Sequence, residues 1–203
     1  TMAVVATPEM ILEAARAGYD VMLTKMVKSV PQSKLSVTVR ETIGKNVQNY
    51  AAHSGSLESF KAILSFCLEQ HRFWSVSLQD TFERSSLHCA ALSGNPELIS
   101  FILDLWPESQ RLQAVDVKDV YGITVFHYAV MSDSLRKHRI KTESHGCTKA
   151  ILYSFPESQR LQVVDLKDCS GLNVLHRAAF AGNPDLIKAI LSFYLESQRI
   201  QLL

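Results

Sequence analysis

A seven-residue stretch, PESQRLQ, occurs twice in the chain without a single change, at residues 107–113 and 156–162. A looser third copy, LESQRIQ, follows at residues 195–201. Self-similarity at a long spacing is typical of stacked repeat proteins, in which each unit packs on its neighbours. The feature therefore predicts a solenoid that works through an extended surface and not through a buried pocket.

A second motif moves with the first one. LHCAALSGNP at residues 87–96 returns as LHRAAFAGNP at residues 175–184. The alanines that align in successive units lie 39, 39 and 49 residues apart, at Ala51, Ala90, Ala129 and Ala178. The third unit therefore carries an insertion.

Each unit is predicted to hold two helices and an extended arm. A polar N-cap residue opens the first helix, a left-handed glycine ends it, and a more apolar second helix follows. PESQRLQ then predicts a further short helical turn, and the arms are predicted at residues 115–119 and 163–168, with tips at Gly122 and Gly171. The N-cap candidates are Asn46, Ser85, Thr124 and Asn173, and the C-cap glycines are Gly55, Gly94 and Gly182.

These motifs resemble a known family. GITVFHYA at residues 122–129 and GLNVLHRAAFAG at residues 171–182 are similar to the ankyrin repeat signature, G-x-T-P-L-H-x-A-A-x-x-G. The chain departs from it in having Val or Ser at the usual proline, and in a period of 39 instead of about 33. The resemblance implies an all-α, ankyrin-type helical repeat solenoid with short extended arms. Long units of the PESQRLQ kind also resemble those of effector proteins that intracellular bacteria inject into host cells.

The repeats predict one elongated domain over residues 1–203. An N-terminal cap unit and its connection are expected at residues 1–42, followed by units at 43–80, 81–119 and 120–168. The third of these units holds the insertion, near residues 133–145, and an incomplete last unit occupies residues 169–203. The apolar last helix favours a further segment after residue 203.

Composition argues against several classes of function. A net charge of +1 does not fit a nucleic-acid-binding protein, which would be strongly basic. No apolar run reaches membrane-spanning length, and the first residues lack a signal-peptide pattern. We therefore expect a cytoplasmic protein, either in its own cell or in a host cytosol after secretion by a bacterium. The cysteines have no framework spacing and are expected to be free thiols: Cys67, Cys89, Cys147 and Cys169.

Three histidines repeat at equivalent positions, three residues after an N-cap candidate: His88, His127 and His176. In the ankyrin family this pairing ties one unit to the next, so each is expected to be buried with both ring nitrogens hydrogen-bonded. The adjacent His88 and Cys89 do not suggest a nucleophile and its base, because neighbours on one helix point in different directions.

Other candidates for chemistry also have simpler interpretations. His138, His145 and Cys147 lack the ligand spacing of a zinc site. Aspartates recur in each arm and indicate hydrogen bonding within the arm turns: Asp116, Asp119, Asp165 and Asp168. We predict no catalysis, no metal, no cofactor and no small-molecule substrate.

The ankyrin resemblance implies a concave face formed by the arm tips and by the first helices. Carried over to this chain, that face contains an apolar and aromatic series, which is typical of protein interfaces. The alternative is that the longer units rotate these positions into the core. The predicted members of the concave face are Phe82, Arg84, Leu92, Val120, Tyr121, Ile123, Met131, Leu172 and Phe180.

The insertion is a second candidate surface. It is basic, with Arg136, Lys137, Arg139 and Lys141 against Asp133 and Glu143. It is either a solvated extension of the first helix or a docking patch for an acidic partner, because insertions in solenoids often carry binding.

The predicted function is protein–protein interaction by a monomer that binds a host protein through the concave face. One alternative is the targeting segment of a larger enzyme whose catalytic domain lies beyond residue 203. A purely structural spacer is the other, and an apolar concave face argues against it.

Overall fold

The computed structural model describes residues 7–17, 21–22, 25–26, 47–65, 67, 69–136 and 145–193. These ranges are helical, and apart from one isolated antiparallel bridge between Lys118 and Thr124 they contain no strand. The prediction of an all-α repeat fold is confirmed. The twelve α-helices in these ranges are α1 (Pro8–Ala17), α2 (Val47–Ser54), α3 (Leu57–Leu64), α4 (Glu69–Ser77), α5 (Ser86–Ser93), α6 (Pro96–Asp104), α7 (Arg111–Asp116), α8 (Val125–Arg136), α9 (Gly146–Tyr153), α10 (Glu157–Val164), α11 (Val174–Phe180) and α12 (Pro184–Leu191).

The first helices of successive units pack side by side and form the central layer. Contacts run in series from α1 to α2, α5, α8 and α11, and each of the last four also packs on the second helix of its own unit. Fully buried alanines such as Ala51, Ala90 and Ala129 lie in this layer. Small side chains allow the helices to approach closely, so one continuous core runs through the stack. No helix in the described ranges is both long and apolar enough to span a membrane.

The predicted caps set the helix ends. Ser85 and Asn173 precede α5 and α11 with extended backbone, and the backbone N–H of Ser85 donates to His88 Nδ1 at 3.1 Å. Gly94 ends α5 with φ of 70°, a left-handed conformation in which a residue with a side chain is strained. The N-cap candidate Asn46 lies outside the described residues.

The two exact PESQRLQ copies are helical, as predicted, and their arginines bind backbone carbonyls, whereas the looser copy at residues 195–201 lies outside the described residues. Arg111 donates to the carbonyl of Ser154 in the next unit, at 3.1 Å, and to Asp104 Oδ1, at 3.1 Å. Arg160 donates to the carbonyls of Leu152 and Phe155. Arg111 therefore links two units, and Arg160 links helices of a single unit.

Two details of this region differ from the prediction. The arms begin later than expected, because α7 and α10 extend to Asp116 and Val164 and bury Val115, Val163 and Val164 on their last turns. In addition, α4 is the first unit's counterpart of the PESQRLQ helix, which the sequence interpretation missed.

Asp133 explains how the third unit accommodates its insertion. It stands where the neighbouring units have Gly94 and Gly182, so α8 has no glycine at which to end and continues to Arg136. Its side chain is 3% exposed and accepts hydrogen bonds from the backbone N–H groups of Cys147 (3.3 Å) and Thr148 (2.8 Å). Asp133 therefore fits neither interpretation of the insertion as a solvated extension or as a docking patch, because its carboxylate is buried and caps the start of α9.

The missing glycine also changes a contact between units. In the second unit, Asn95 Nδ2 donates to the carbonyl of Gly55 in the preceding unit, at 2.7 Å. Asn183 is the equivalent residue of the fourth unit, and its buried Nδ2 has no hydrogen-bond partner among the described residues. The third unit offers no glycine carbonyl at that place, since Asp133 continues a helix.

Candidate functional site

An aspartate organises each arm tip. Oδ1 of Asp80 accepts from the backbone N–H groups of Phe82 (2.8 Å) and Arg84 (3.0 Å). Asp119 and Asp168 bind the two equivalent N–H groups of their own arms at 2.8–3.0 Å. The predicted role in the arm turns is confirmed for Asp119 and Asp168, but Asp116 instead ends α7, and Asp165 binds the side chains of Lys167 and Asn173. The tips are therefore fixed before any partner arrives.

The second oxygen of each aspartate has a different partner in each unit. Arg84 Nε donates to Asp80 at 2.9 Å, Tyr128 Oη to Asp119 at 2.6 Å, and Arg177 Nε to Asp168 at 2.8 Å. Tyr128 and Arg177 occupy equivalent positions on α8 and α11. In the second unit that position holds Cys89, and Arg84 supplies the donor from within the arm.

These contacts affect the pKa values of the groups involved. Burial acts to raise the pKa of Asp80 and of Asp168, but hydrogen bonds from arginine and from backbone N–H groups hold both below the ordinary value. Burial and the bond to Asp119 raise the pKa of Tyr128. The charges of Asp80 and Asp168 are therefore compensated by arginine near neutral pH.

Adjacent arms are joined by backbone hydrogen bonds. Val120 N–H donates to the carbonyl of Phe82 at 3.0 Å, and Cys169 N–H donates to the carbonyl of Gly122 at 2.9 Å. Gly122 has φ of 69°, and a Cβ added there would lie 2.3 Å from Cys169 Cβ. The three tips thus form one connected ridge.

Two buried histidines fasten the arms to the first helices. His88 Nε2 donates to the carbonyl of Val117 at 3.0 Å, and His127 Nε2 to that of Leu172 at 2.9 Å. Burial lowers the pKa of His88 to about 4 and also lowers that of His127, so both are neutral structural donors. His176 was expected to match them, but it is exposed, because no described arm covers it.

The predicted concave face is largely exposed. Phe82, Val120, Tyr121, Met131 and Phe180 are exposed, with Tyr121 at 64% and Phe180 at 90%. Three further members, Leu92, Ile123 and Leu172, are half-buried. The alternative that the longer units turn these positions into the core therefore applies only to these three, and only in part. Arg84 is also half-buried and lies with Cζ 4.8 Å from the centroid of the Phe82 ring.

Only the two ends of the basic insertion belong to the described residues. Arg136 is the last residue of α8, whereas Lys137, Arg139 and Lys141 lie outside the described residues. Leu135, which the sequence interpretation missed, is 71% exposed one turn after Met131. Its spacing of four residues from Met131 on a helix could have identified it.

A cleft of about 450 Å³ separates α2 from the tip of the second unit's arm. Sequence interpretation did not place Tyr50 and His53 in a site, although they align with Tyr128 and Met131 of the third unit. The cleft is lined by Asn49, Tyr50, His53, Asp80, Thr81, Phe82, Arg84 and Cys89.

The candidates for thiol and metal chemistry have structural surroundings. Burial raises the pKa of the Cys89 thiol to about 12, which disfavours the thiolate that a nucleophile requires. All four cysteines are free thiols. In the part of the chain that the structure describes, no group of three or more His, Cys, Asp or Glu could hold a metal ion. His138 lies outside that part.

A family model described as ankyrin repeats (3 copies) matches residues 48–140. The match spans the arms at Asp80 and Asp119 and includes the two buried histidines, His88 and His127. No curated protein sequence matches the chain significantly.

Proposed function

Because residues 48–140 carry ankyrin repeats, which are typically non-catalytic protein-interaction modules, we propose that this chain binds a partner protein through its concave face. We propose further that the chain acts as a bacterial effector, that it binds a host protein as a monomer, and that it performs no catalysis. The resemblance of its long repeat units to injected effectors supports the finer part of this proposal.

One observation carries the proposed binding: large apolar side chains are exposed on a rigid support. Phe82 and Tyr121 project from arm tips that hydrogen bonds fix in place, and Phe180 ends α11. Aromatic residues and methionine are what the centres of protein interfaces favour. A fixed scaffold also reduces the entropy that is lost on binding.

The charges near these side chains indicate the nature of the partner surface. Asp80 and Asp168 are neutralised by Arg84 and Arg177, and Asp119 is buried against Tyr128. A partner therefore meets mainly apolar side chains here. We propose that its contacting surface is centred on apolar or aromatic residues.

The direct test is a pair of truncations, measured against a partner isolated from host-cell lysate. Tyr121→Ala and Phe180→Ala should each raise the dissociation rate by about 30-fold, and the double variant by more, since an anchor residue contributes roughly 2 kcal/mol or more. The matched control is Tyr153→Ala, which removes a ring that is 68% exposed on α9, away from the arms. Wild-type kinetics for the double variant, together with loss of binding for the control, would place the interface elsewhere.

We propose that the basic insertion acts as a charged rim. Arg136→Glu with Lys137→Glu should slow association mainly at low salt, because rim charges steer the encounter more than they hold the complex. Surface plasmon resonance at two salt concentrations measures this. Loss of binding at all salt concentrations would identify the insertion as the main site.

A further inference from the structure

Glu83 adopts a left-handed backbone conformation at the tip of the second unit's arm, with φ of 59°. The equivalent positions in the next two arms hold Gly122 and Gly171, with φ of 69° and 73°. Glycine takes this conformation without penalty, whereas a residue with a side chain is strained in it. The second arm therefore keeps a glutamate where its own neighbours have glycine.

The surrounding arm holds Glu83 in this conformation. Its N–H donates to the carbonyl of Asp80 at 2.9 Å, and its carbonyl accepts from Gln79 Nε2 at 2.7 Å. The lysines Lys118 and Lys167 replace Gln79 in the other two arms. Strain that neighbouring contacts maintain is characteristic of functional positions.

The carboxylate of Glu83 has no structural task that would explain the strain. It is exposed and makes no hydrogen bond or ion pair with any described residue. Arg84, the adjacent cation, is already engaged by Asp80 through both Nε and a terminal nitrogen, at 2.9 and 2.7 Å. Glu83 therefore leaves an uncompensated negative charge at the arm tip.

This charge stands beside the cleft between α2 and the arm. Glu83 lies between Phe82 and Arg84, both of which line the cleft. The opposite wall includes Tyr50 and His53 from α2. An incoming segment thus meets aromatic surface within the cleft and a carboxylate at its edge, whereas the neighbouring arm tips offer no such acid.

We propose that Glu83 is a specificity residue that recognises a lysine or arginine of the partner, next to an apolar residue seated in the cleft. The inference rests on the proposed function and adds the chemistry of the partner: a protein segment that carries a basic side chain beside an apolar or aromatic one. The guanidinium or ammonium group would pair with the Glu83 carboxylate, and the apolar residue would contact Phe82.

The test uses a phage-displayed library of random twelve-residue peptides, selected on the immobilised wild-type chain. The selected peptides should be enriched in Lys or Arg beside an apolar residue. Synthetic copies should bind Glu83→Gln about two- to fivefold more weakly, the range expected for an exposed ion pair. The matched control is Glu108→Gln, which removes an exposed acid from the turn before α7.

A second variant separates recognition from folding. Glu83→Gly should raise the midpoint of thermal unfolding, because it removes the strain, and should nevertheless weaken peptide binding as Glu83→Gln does. Higher stability with unchanged binding would overturn the proposal, as would selected peptides without basic residues. If peptide affinity is unchanged by Glu83→Gln but is abolished by Phe82→Ala with Tyr121→Ala, this inference alone is refuted. Peptides insensitive to all of these substitutions would count against the proposed function as well.

Discussion

Gly122 and Gly171 occupy the same position in successive arms, but an added side chain meets different surroundings at each. At Gly171 a Cβ would have nothing within 4 Å, so Gly171→Ala should cost only the left-handed strain, about 1–2 kcal/mol. At Gly122 the Cβ would also overlap Cys169, so Gly122→Ala should cost about 2–5 kcal/mol in the free energy of unfolding. Urea titrations of both variants measure this difference, and equal costs would show that the arms are not in contact at Gly122.

His88 should make the protein sensitive to mild acid. Its pKa is about 4 in the folded chain and 6.5 without the fold, so between these values only the unfolded state takes up the proton. The free energy of unfolding should therefore fall by about 1.4 kcal/mol for each pH unit from 6.5 down to 4. His127, whose pKa is also lowered, acts in the same direction.

Urea titrations at several pH values between 7 and 4 test this dependence. His88→Gln should reduce the slope, and His53→Gln, at an exposed position on α2, serves as the control. Asp80 and Asp168 do not interfere in this window. Their lowered pKa values give stability that is present above 3.8 and is lost only at more acid pH. A slope unchanged by His88→Gln would contradict the assignment.

At the scale of helices and turns, α9 begins at a cap that Asp133 supplies from α8. Asp133→Ala should lower the free energy of unfolding by about 2 kcal/mol, because two buried N–H groups at the start of α9 lose their acceptor. Asp116→Ala, at an exposed position at the end of α7, is the control and should be close to neutral. A negligible effect of Asp133→Ala on urea unfolding would mean that α9 does not depend on this cap.

The helices were predictable because their signals are local. Caps such as Ser85 and Gly94 and the PESQRLQ copies determine backbone conformation within a few residues. The helix α4 was missed because its sequence, EQHRFWSVS, shares with the PESQRLQ helices little more than the spacing of Glu69 and Arg72. The arms were placed too early, because valines such as Val115 suit a strand as well as the last turn of a helix that packs on the core.

At the scale of the whole molecule, the order of the units could be predicted, but the accessibility of individual side chains could not. The 39-residue spacing fixes which residues align, and aligned residues occupy equivalent places in the stack. Yet Leu92 is half-buried where the aligned Phe180 is 90% exposed. Exposure depends on what the next unit places over each position, which a single unit's sequence does not contain.

Two features of the candidate site were not predicted from the sequence. The cleft forms only where α2 meets the second arm, and the strain at Glu83 is defined by a backbone angle. The left-handed conformation of Glu83 could have been predicted by aligning the arms, because Glu83 falls where the next two arms have glycine. The partners of Asp119 and Asp168 were also partly predictable from the alignment. Tyr128 and Arg177, which bind these aspartates, occupy equivalent positions in their units, where the second unit has Cys89.

The central claim is that a partner protein covers the concave face. Hydrogen–deuterium exchange of the chain with and without its partner tests this most directly. We expect slower exchange in the complex at residues 80–84, 119–124 and 168–172, with α7 and α10 unchanged. Protection confined to α7 and α10, with unchanged exchange at the arm tips, would contradict the claim.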